Sequence, residues 1–268
     1  MRGARPIRMQ RTALLAAVLA SLLALPVFAK RAFREVDPKE ESANKKERDG
    51  DFKGAIADLR EVADTRPNDI RLRMRLAALL ETHENADAAI AQWSEYLALP
   101  DTAKSHGHLF RADLRLLKPD LRGAIDDCTA AAEASDKDGG SRSEEARSKL
   151  WALRVIAGEG EAADKDAKKW YETPGAGRQT GPRIAFAALA AGVVDEAGAA
   201  KMFQGSSEDL SWALPFYSGL RSLRAGKTGA AREKLRQCLE LAEKAGPVQA
   251  KSFECRAAVV ALRSLEVE

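Results

Sequence analysis

Histidine, cysteine and tyrosine each occur only three times in this 268-residue chain. So few histidines and cysteines leave no set of Cys/His ligands at the spacings that structural zinc needs. His106 and His108 stand two apart, and on a helix such residues point to different sides. They read as packed or solvated side chains, as does His83 beside Glu84. Nucleophile and metalloprotease signatures are absent too: there is no G-x-S-x-G, H-E-x-x-H or C-x-x-C. The glycine-rich stretch from Gly175 to Gly181 lacks the Gly-Lys-Ser/Thr ending of a phosphate loop and reads as a connector. No catalytic residue, cofactor or metal is therefore expected. Valine, isoleucine and threonine are sparse against alanine and leucine, which disfavours sheet and favours helix. The paired acids Asp126-Asp127 and Glu144-Glu145 read as the solvated face of charge-rich helices.

Charge of one sign is missing as well. The formal net charge is +3, but Arg2, Arg5, Arg8 and Arg11 supply four positive charges before residue 29. Without that segment, 39 basic residues face 40 acidic ones. Interleaved signs on a nearly neutral body give no footprint for nucleic acid.

The one long apolar run, Ala13 to Leu25, follows that basic stretch and precedes Pro26-Val27-Phe28-Ala29. Basic, apolar and small-residue parts in that order form a secretory signal, with cleavage expected after Ala29. Thirteen apolar residues fall short of the roughly 20 that span a bilayer. The alternative is an uncleaved anchor facing the periplasm, since Thr12 to Ala29 carries no charge and Lys30, Arg31 and Arg34 follow at once. No cysteine near the cut points to a lipid anchor, and no Arg-Arg pair precedes the run.

What the rest of the chain does have is periodicity. Gly54-Ala55-Ile56, Ala88-Ala89-Ile90 and Gly123-Ala124-Ile125 open similar segments, with the alanines at steps of 34 and 35 residues. Ala163, Ala197 and Ala231 extend the series at steps of 39, 34 and 34, although Lys201 stands where the 197 unit should be apolar. A small residue at a fixed place every ~34 residues marks the close crossing of two antiparallel helices, and such hairpins must stack to bury their apolar faces. Twelve places before each alanine stands Ala43, Ala77, Ala112, Ala185 or Gly219. The fourth unit has Trp151 there, which suggests a lengthened loop through Gly158 and Gly160.

These spacings resemble the tetratricopeptide repeat, whose pattern also favours prolines near the places of Pro67 and Pro100. The resemblance covers roughly residues 36–245 and is strong over 50–133 and 210–242. It implies an all-α fold, an α-solenoid of antiparallel helix hairpins with a right-handed superhelix. Residues 30–49 form a polar lead-in or cap, 50–245 the repeat array, and 246–268 a closing helix, with Phe253, Ala257, Val260 and Ala261 at helical spacing.

The resemblance also implies that first helices line a concave face where a peptide or protein lies. The corresponding residues are Arg71, Met74, Ala78 and Glu81 in the second unit. In the third they are His106, Leu109, Asp113 and Leu116. Near the end they are Ala213, Phe216, Leu220 and Leu223. An exposed apolar row there would mark a partner site, unless Phe216 and Leu220 pack against the closing helix. Met74, Ala78, Leu109 and Asp113 stand where some relatives carry Lys and Asn for acidic peptide tails, so that carboxylate clamp is not expected. Cys238 and Cys255 lie equidistant from the Ala245–Pro247 turn, so they either bridge in an oxidising compartment or fill a helix seam as small core residues. Cys128 reads as a buried free thiol.

The expected function is a non-catalytic protein-binding scaffold of the bacterial periplasm or cell envelope. One alternative is an enzyme or small-ligand binder with its site in residues 140–205, where a pocket of converging charges would favour it. Another is a structural or self-associating spacer.

Overall fold

The computed structural model of the chain describes residues 37–100, 103–137, 142–173, 182–203 and 210–266. The segment read as an export signal lies outside them. The described residues form thirteen α-helices and two 3-10 turns, with no strand among them. No helix among them is long and apolar enough to cross a membrane. The chain divides into two compact units, residues 1–58 and 59–268.

The first unit contains α1 (Pro38–Arg48) and the opening half of α2 (Phe52–Thr65). Helix α1 is almost wholly polar, and Ala43 is its one buried residue. Its ends explain why it forms. Asp37 caps the first turn by accepting from Lys39 N, Pro38 opens the helix, and Glu40 and Glu41 sit at the positive end of the dipole. Lys45, Lys46 and Arg48 sit at the negative end. Lys46 pairs with the buried Asp58 at 2.7 Å, which ties α1 to α2.

The second unit carries the tail of α2 and five hairpins. They are α3 (Ile70–His83) with α4 (Ala86–Ala98), α5 (Lys104–Arg115) with α6 (Leu121–Lys137), and α7 (Ser143–Ile156) with α8 (Gly160–Glu172). Next come α9 (Pro182–Ala190) with α10 (Glu196–Met202), and α11 (Leu214–Arg224) with α12 (Thr228–Ala245). A final helix, α13 (Phe253–Ser264), follows a 3-10 turn at Gln249–Lys251. From α5 onward, each hairpin's first helix packs on the second helix of the hairpin before it, as α5 does on α4 and α7 on α6. The architecture is all-α and repetitive, as the spacing predicts.

The repeat has a local cause visible at the start of α2, α4, α6 and α10. Asp51, Asn85, Asp120 and Asp195 each accept from the backbone N–H three residues on, at 2.8 to 2.9 Å. Such a cap is worth about 1 kcal/mol. One residue beyond that donor comes the small residue of the crossing: Ala55, Ala89 and Ala124, each fully buried. Glu159 and Lys227 occupy the same place without a side-chain cap, again four residues before buried Ala163 and Ala231.

This offset corrects one expectation. In the α9–α10 hairpin the cap is Asp195, so the crossing residue is Ala199, which is fully buried, and Ala197 is exposed. The steps become 36 and 32 residues. Trp151 also needs no lengthened loop. Helix α8 begins at Gly160, Gly158 supplies the left-handed turn at φ +82°, and the indole N–H of Trp151 donates to Asp164 Oδ1 at 2.8 Å.

Gly219 shows how tight the crossing is. A Cβ there would lie 3.2 Å from Lys234 Cβ and 3.3 Å from the Ala231 carbonyl. Substituting Ala231→Leu should therefore cost about 1–3 kcal/mol by overpacking, whereas Ala197→Leu should stay within about 0.5 kcal/mol. Chemical denaturation of both variants checks this, and equal costs would place the crossing residue wrongly.

Candidate functional site on the inner face

The inner face belongs to the first helices of the second unit, and most of it is already covered. Helix α7 touches α9 and α11, so the first helices meet rather than enclosing an open channel. Helix α13 packs on α7, α11 and α12. Its ring Phe253 meets Phe216 edge-on, with centroids 6.2 Å apart, and the Lys149 ammonium sits 4.7 Å from the Phe253 ring centroid. Tyr217 Oη donates to Glu254 at 3.3 Å. From the same helix, Arg256 reaches back to two earlier hairpins. It donates to Glu81 Oε1 at 2.7 Å and to the Asp113 carbonyl at 3.1 Å.

The expected binding residues divide accordingly. Leu109, Leu116, Ala213, Phe216 and Leu220 are buried in one continuous core that includes Phe253, Ala257, Ala258 and Ala261 of α13. The expectation of an exposed apolar row is corrected at these five positions, because the chain's own last helix and the meeting of the inner helices consume that surface. Leu223 is half-buried against the same core. His106 is half-buried, and burial holds its imidazole below its ordinary pKa. Glu81 and Asp113 are engaged by Arg256. Arg71, Met74 and Ala78 remain exposed on α3, Met74 by 42%.

A chain of buried charges runs beneath α13. Lys149, nearly buried, lies 3.1 Å from Asp113 Oδ1 and 3.1 Å from Glu145 Oε1. Arg142 and Arg183 each pair with Glu145 at 2.7 Å. Burial raises the Asp113 carboxyl from 3.8 to about 6, with Lys149 only partly opposing it. Burial acts the same way on Glu145, but there Lys149, Arg183 and Arg142 outweigh it and lower the carboxyl from 4.5 to about 2. The paired acids are thus a solvated face only at Asp126, which is exposed, whereas Glu144 and Asp127 are buried. Asp127 takes His108 Nδ1 at 2.9 Å, Arg111 at 2.7 Å and Arg115 at 3.0 Å, locking α5 to α6. His108 is therefore a structural partner. No cluster of three or more His, Cys, Asp or Glu side chains among the described residues could hold a metal ion.

All three cysteines are buried and free. Cys238 and Cys255 sit on the packed pair α12 and α13 in one buried core, near enough for each thiol to shift the other's ionisation, and both are free thiols. A second candidate lies elsewhere on the unit: a cleft of about 1090 Å³ between α6, α7 and α8, lined by Arg147, Arg154, Asp166, Lys169 and Trp170 among others. Its arginines are already paired, Arg147 with Asp136 at 2.5 Å and Arg154 with Asp166 at 2.7 Å.

These observations define a protein of stacked helical hairpins whose inner face holds the chain's own helix α13. No family model matches the chain, and no curated protein does. Among solved structures, a crystal structure of the MamA protein matches at 18% identity, covering 77% of this chain and 91% of that one, with a TM-score of 0.44. A second crystal structure of MamA matches at 17%, covering 80% and 98%, again with a TM-score of 0.44. The helical architecture described here rests on the hairpins themselves.

The buried network has a measurable signature. Asp113 has a raised folded pKa, so its stabilising effect is present below pH 4 and lost as pH rises through about 6. Glu145, with a lowered one, stabilises above about pH 4.5 and loses its effect toward pH 2. The Asp113→Asn variant should remove the first slope and keep the second. Relative to the variant, the wild type should lose up to about 3 kcal/mol between pH 4 and pH 7. Urea denaturation across that range checks it, and parallel curves would refute the assignment.

Proposed function

We propose that this chain is a non-catalytic scaffold of the bacterial periplasm or cell envelope, exported by residues 1–29, that holds a protein or peptide on the inner face of its helical hairpins. The observation that supports this reading is the manner in which that face already holds a helix. One aromatic anchor, Phe253, enters the core, and polar links through Glu254 and Arg256 fix its line across several hairpins. A surface that accommodates one short helix with an apolar anchor and flanking charges is suited to another of the same kind.

The part still open is α3, where Arg71, Met74 and Ala78 face solvent beyond the Arg256–Glu81 link. A partner segment with an apolar residue for Met74 and an acid for Arg71 would continue the row laid down by α13. Substitutions at Leu109 or Phe216 would report on folding instead, because both are core.

The alternative of a small polar ligand has one observation in its favour, the α6–α7–α8 cleft, which draws part of its lining from residues 147–173. The pairing of Arg147 with Asp136 and of Arg154 with Asp166 favours the scaffold reading.

The test is quantitative recovery of cross-linked partners from envelope extract. The double substitution Met74→Glu with Ala78→Glu should lower recovery of a specific partner at least ~10-fold, equivalent to about 1.4 kcal/mol. Equal recovery would overturn the inner-face reading. Amino-terminal sequencing of the exported chain should begin at Lys30, and a start at Met1 would favour the uncleaved anchor.

A further inference from the structure

We infer that Cys238 and Cys255 are a dithiol–disulfide latch that, once oxidised, fastens α13 over the inner face, with Cys255 the thiol that reacts first. The inference does not depend on any partner of that face. Cys238 lies on α12 and Cys255 in the first turn of α13, the two helices pack on each other, and both side chains are buried in the same core. Cys255 Sγ also donates to the Gln249 carbonyl at 3.4 Å.

The two thiols differ in access. Cys255 borders a surface groove of about 330 Å³ that Leu116, Leu239, Val259 and Val260 also line, whereas Cys238 is fully buried and does not border it. They differ in acidity too. The neighbouring Cys238 thiol holds the Cys255 thiol below its ordinary value, and Cys238 itself is pushed above its own. The backbone amides of a helix's first turn favour a thiolate in the same way. Cys128, on α6, has its pKa raised by burial and has no thiol partner.

The chemistry needs a disulfide-bearing oxidant such as oxidised glutathione. Cys255, having lost its proton, attacks one sulfur of that disulfide, and the other sulfur leaves with the bond's electron pair and takes up a proton. A mixed disulfide on Cys255 remains. Cys238 then loses its proton and attacks Cys255 Sγ, expelling the second oxidant thiol. Two protein thiols are oxidised by two electrons, and one oxidant disulfide becomes two thiols. The new bond closes a short loop through the turn, so α13 can no longer lift away without disrupting α12.

Oxidised glutathione applied to the full folded chain tests this. Thiol counting after denaturation should fall from three to one, with a mass loss of two hydrogens. The Cys238→Ser variant, or Cys238→Ala if the serine variant does not fold, should stop with one glutathionyl group on Cys255. Amide hydrogen exchange over Phe253–Ser264 should slow at least ~10-fold on oxidation, and the thermal midpoint should rise by about 5–10 °C. Three free thiols at equilibrium would overturn the latch, as would a disulfide that leaves α13 exchange unchanged. An unmodified Cys255 in both variants would overturn its role as the first thiol.

Discussion

The close crossing of each second helix over its first, permitted by a residue no larger than alanine, is the constraint on which the rest of this structure depends. At Gly219 the neighbouring backbone and side chains stand so near that even a methyl group would touch them. Two helices that approach this closely make a thin hairpin with apolar side chains on both broad faces. Such a hairpin cannot bury them alone, so neighbours must stack. In the later part of the second unit the stacking turns the first helices α7, α9 and α11 into mutual contact. What is left on the inner side is a shallow seat beside α7 and α11, and α13 takes it.

Helix α13 is an unusual occupant, because its buried face is mostly alanine: Ala257, Ala258 and Ala261, after Phe253 and Cys255 in its first turn and before the capping Leu265. Small side chains let it approach closely, but each removes little apolar area from water. Area alone would leave its angle and register weakly specified. The directional contacts supply the specification, through Arg256 on Glu81 and the Asp113 carbonyl, and Glu254 on Tyr217. The buried charges beneath it obey the usual condition, since Lys149 is flanked by two carboxylates and Glu145 by three cations. Buried ions that are fully partnered add little net stability, but losing one partner is costly. The network therefore selects one seating of the helix more than it strengthens it.

How much of this was legible in the sequence varies by residue. Ala55, Ala89 and Ala124 announce the crossing because isoleucine follows each of them and the steps are regular. Ala197 misleads because alanines also stand at 199 and 200, and composition cannot choose among them. The chooser is Asp195, whose cap fixes the helix start and hence the buried register, a signal shared with Asp51, Asn85 and Asp120. Burial of Asp127 and Glu145 was not legible. Their partners lie as far as 19 and 38 residues away, and an isolated pair of acids on a helix looks the same whether solvated or enclosed. The inner face was illegible for a related reason. Leu109 and Phe216 have the same periodicity whether a foreign segment or the chain's own terminus covers them.

That ambiguity has a physical meaning for function. A surface read as a partner site and found to hold the chain's own helix has demonstrated the complementarity that binding needs, while having spent it internally. The difference between holding α13 and holding another segment is then set by how firmly α13 is attached. Its attachment combines a few polar links with a mostly alanine buried face, and a short turn after Ala245 joins it to α12. Elements with little buried area are those that open at the lowest free energy in a folded chain. The latch at Cys238 and Cys255 acts on this weak point and on nothing else in the hairpin stack, because both cysteines lie within the last two helices. Control over the inner face can therefore be exercised without altering the alanine crossings that hold the hairpins together.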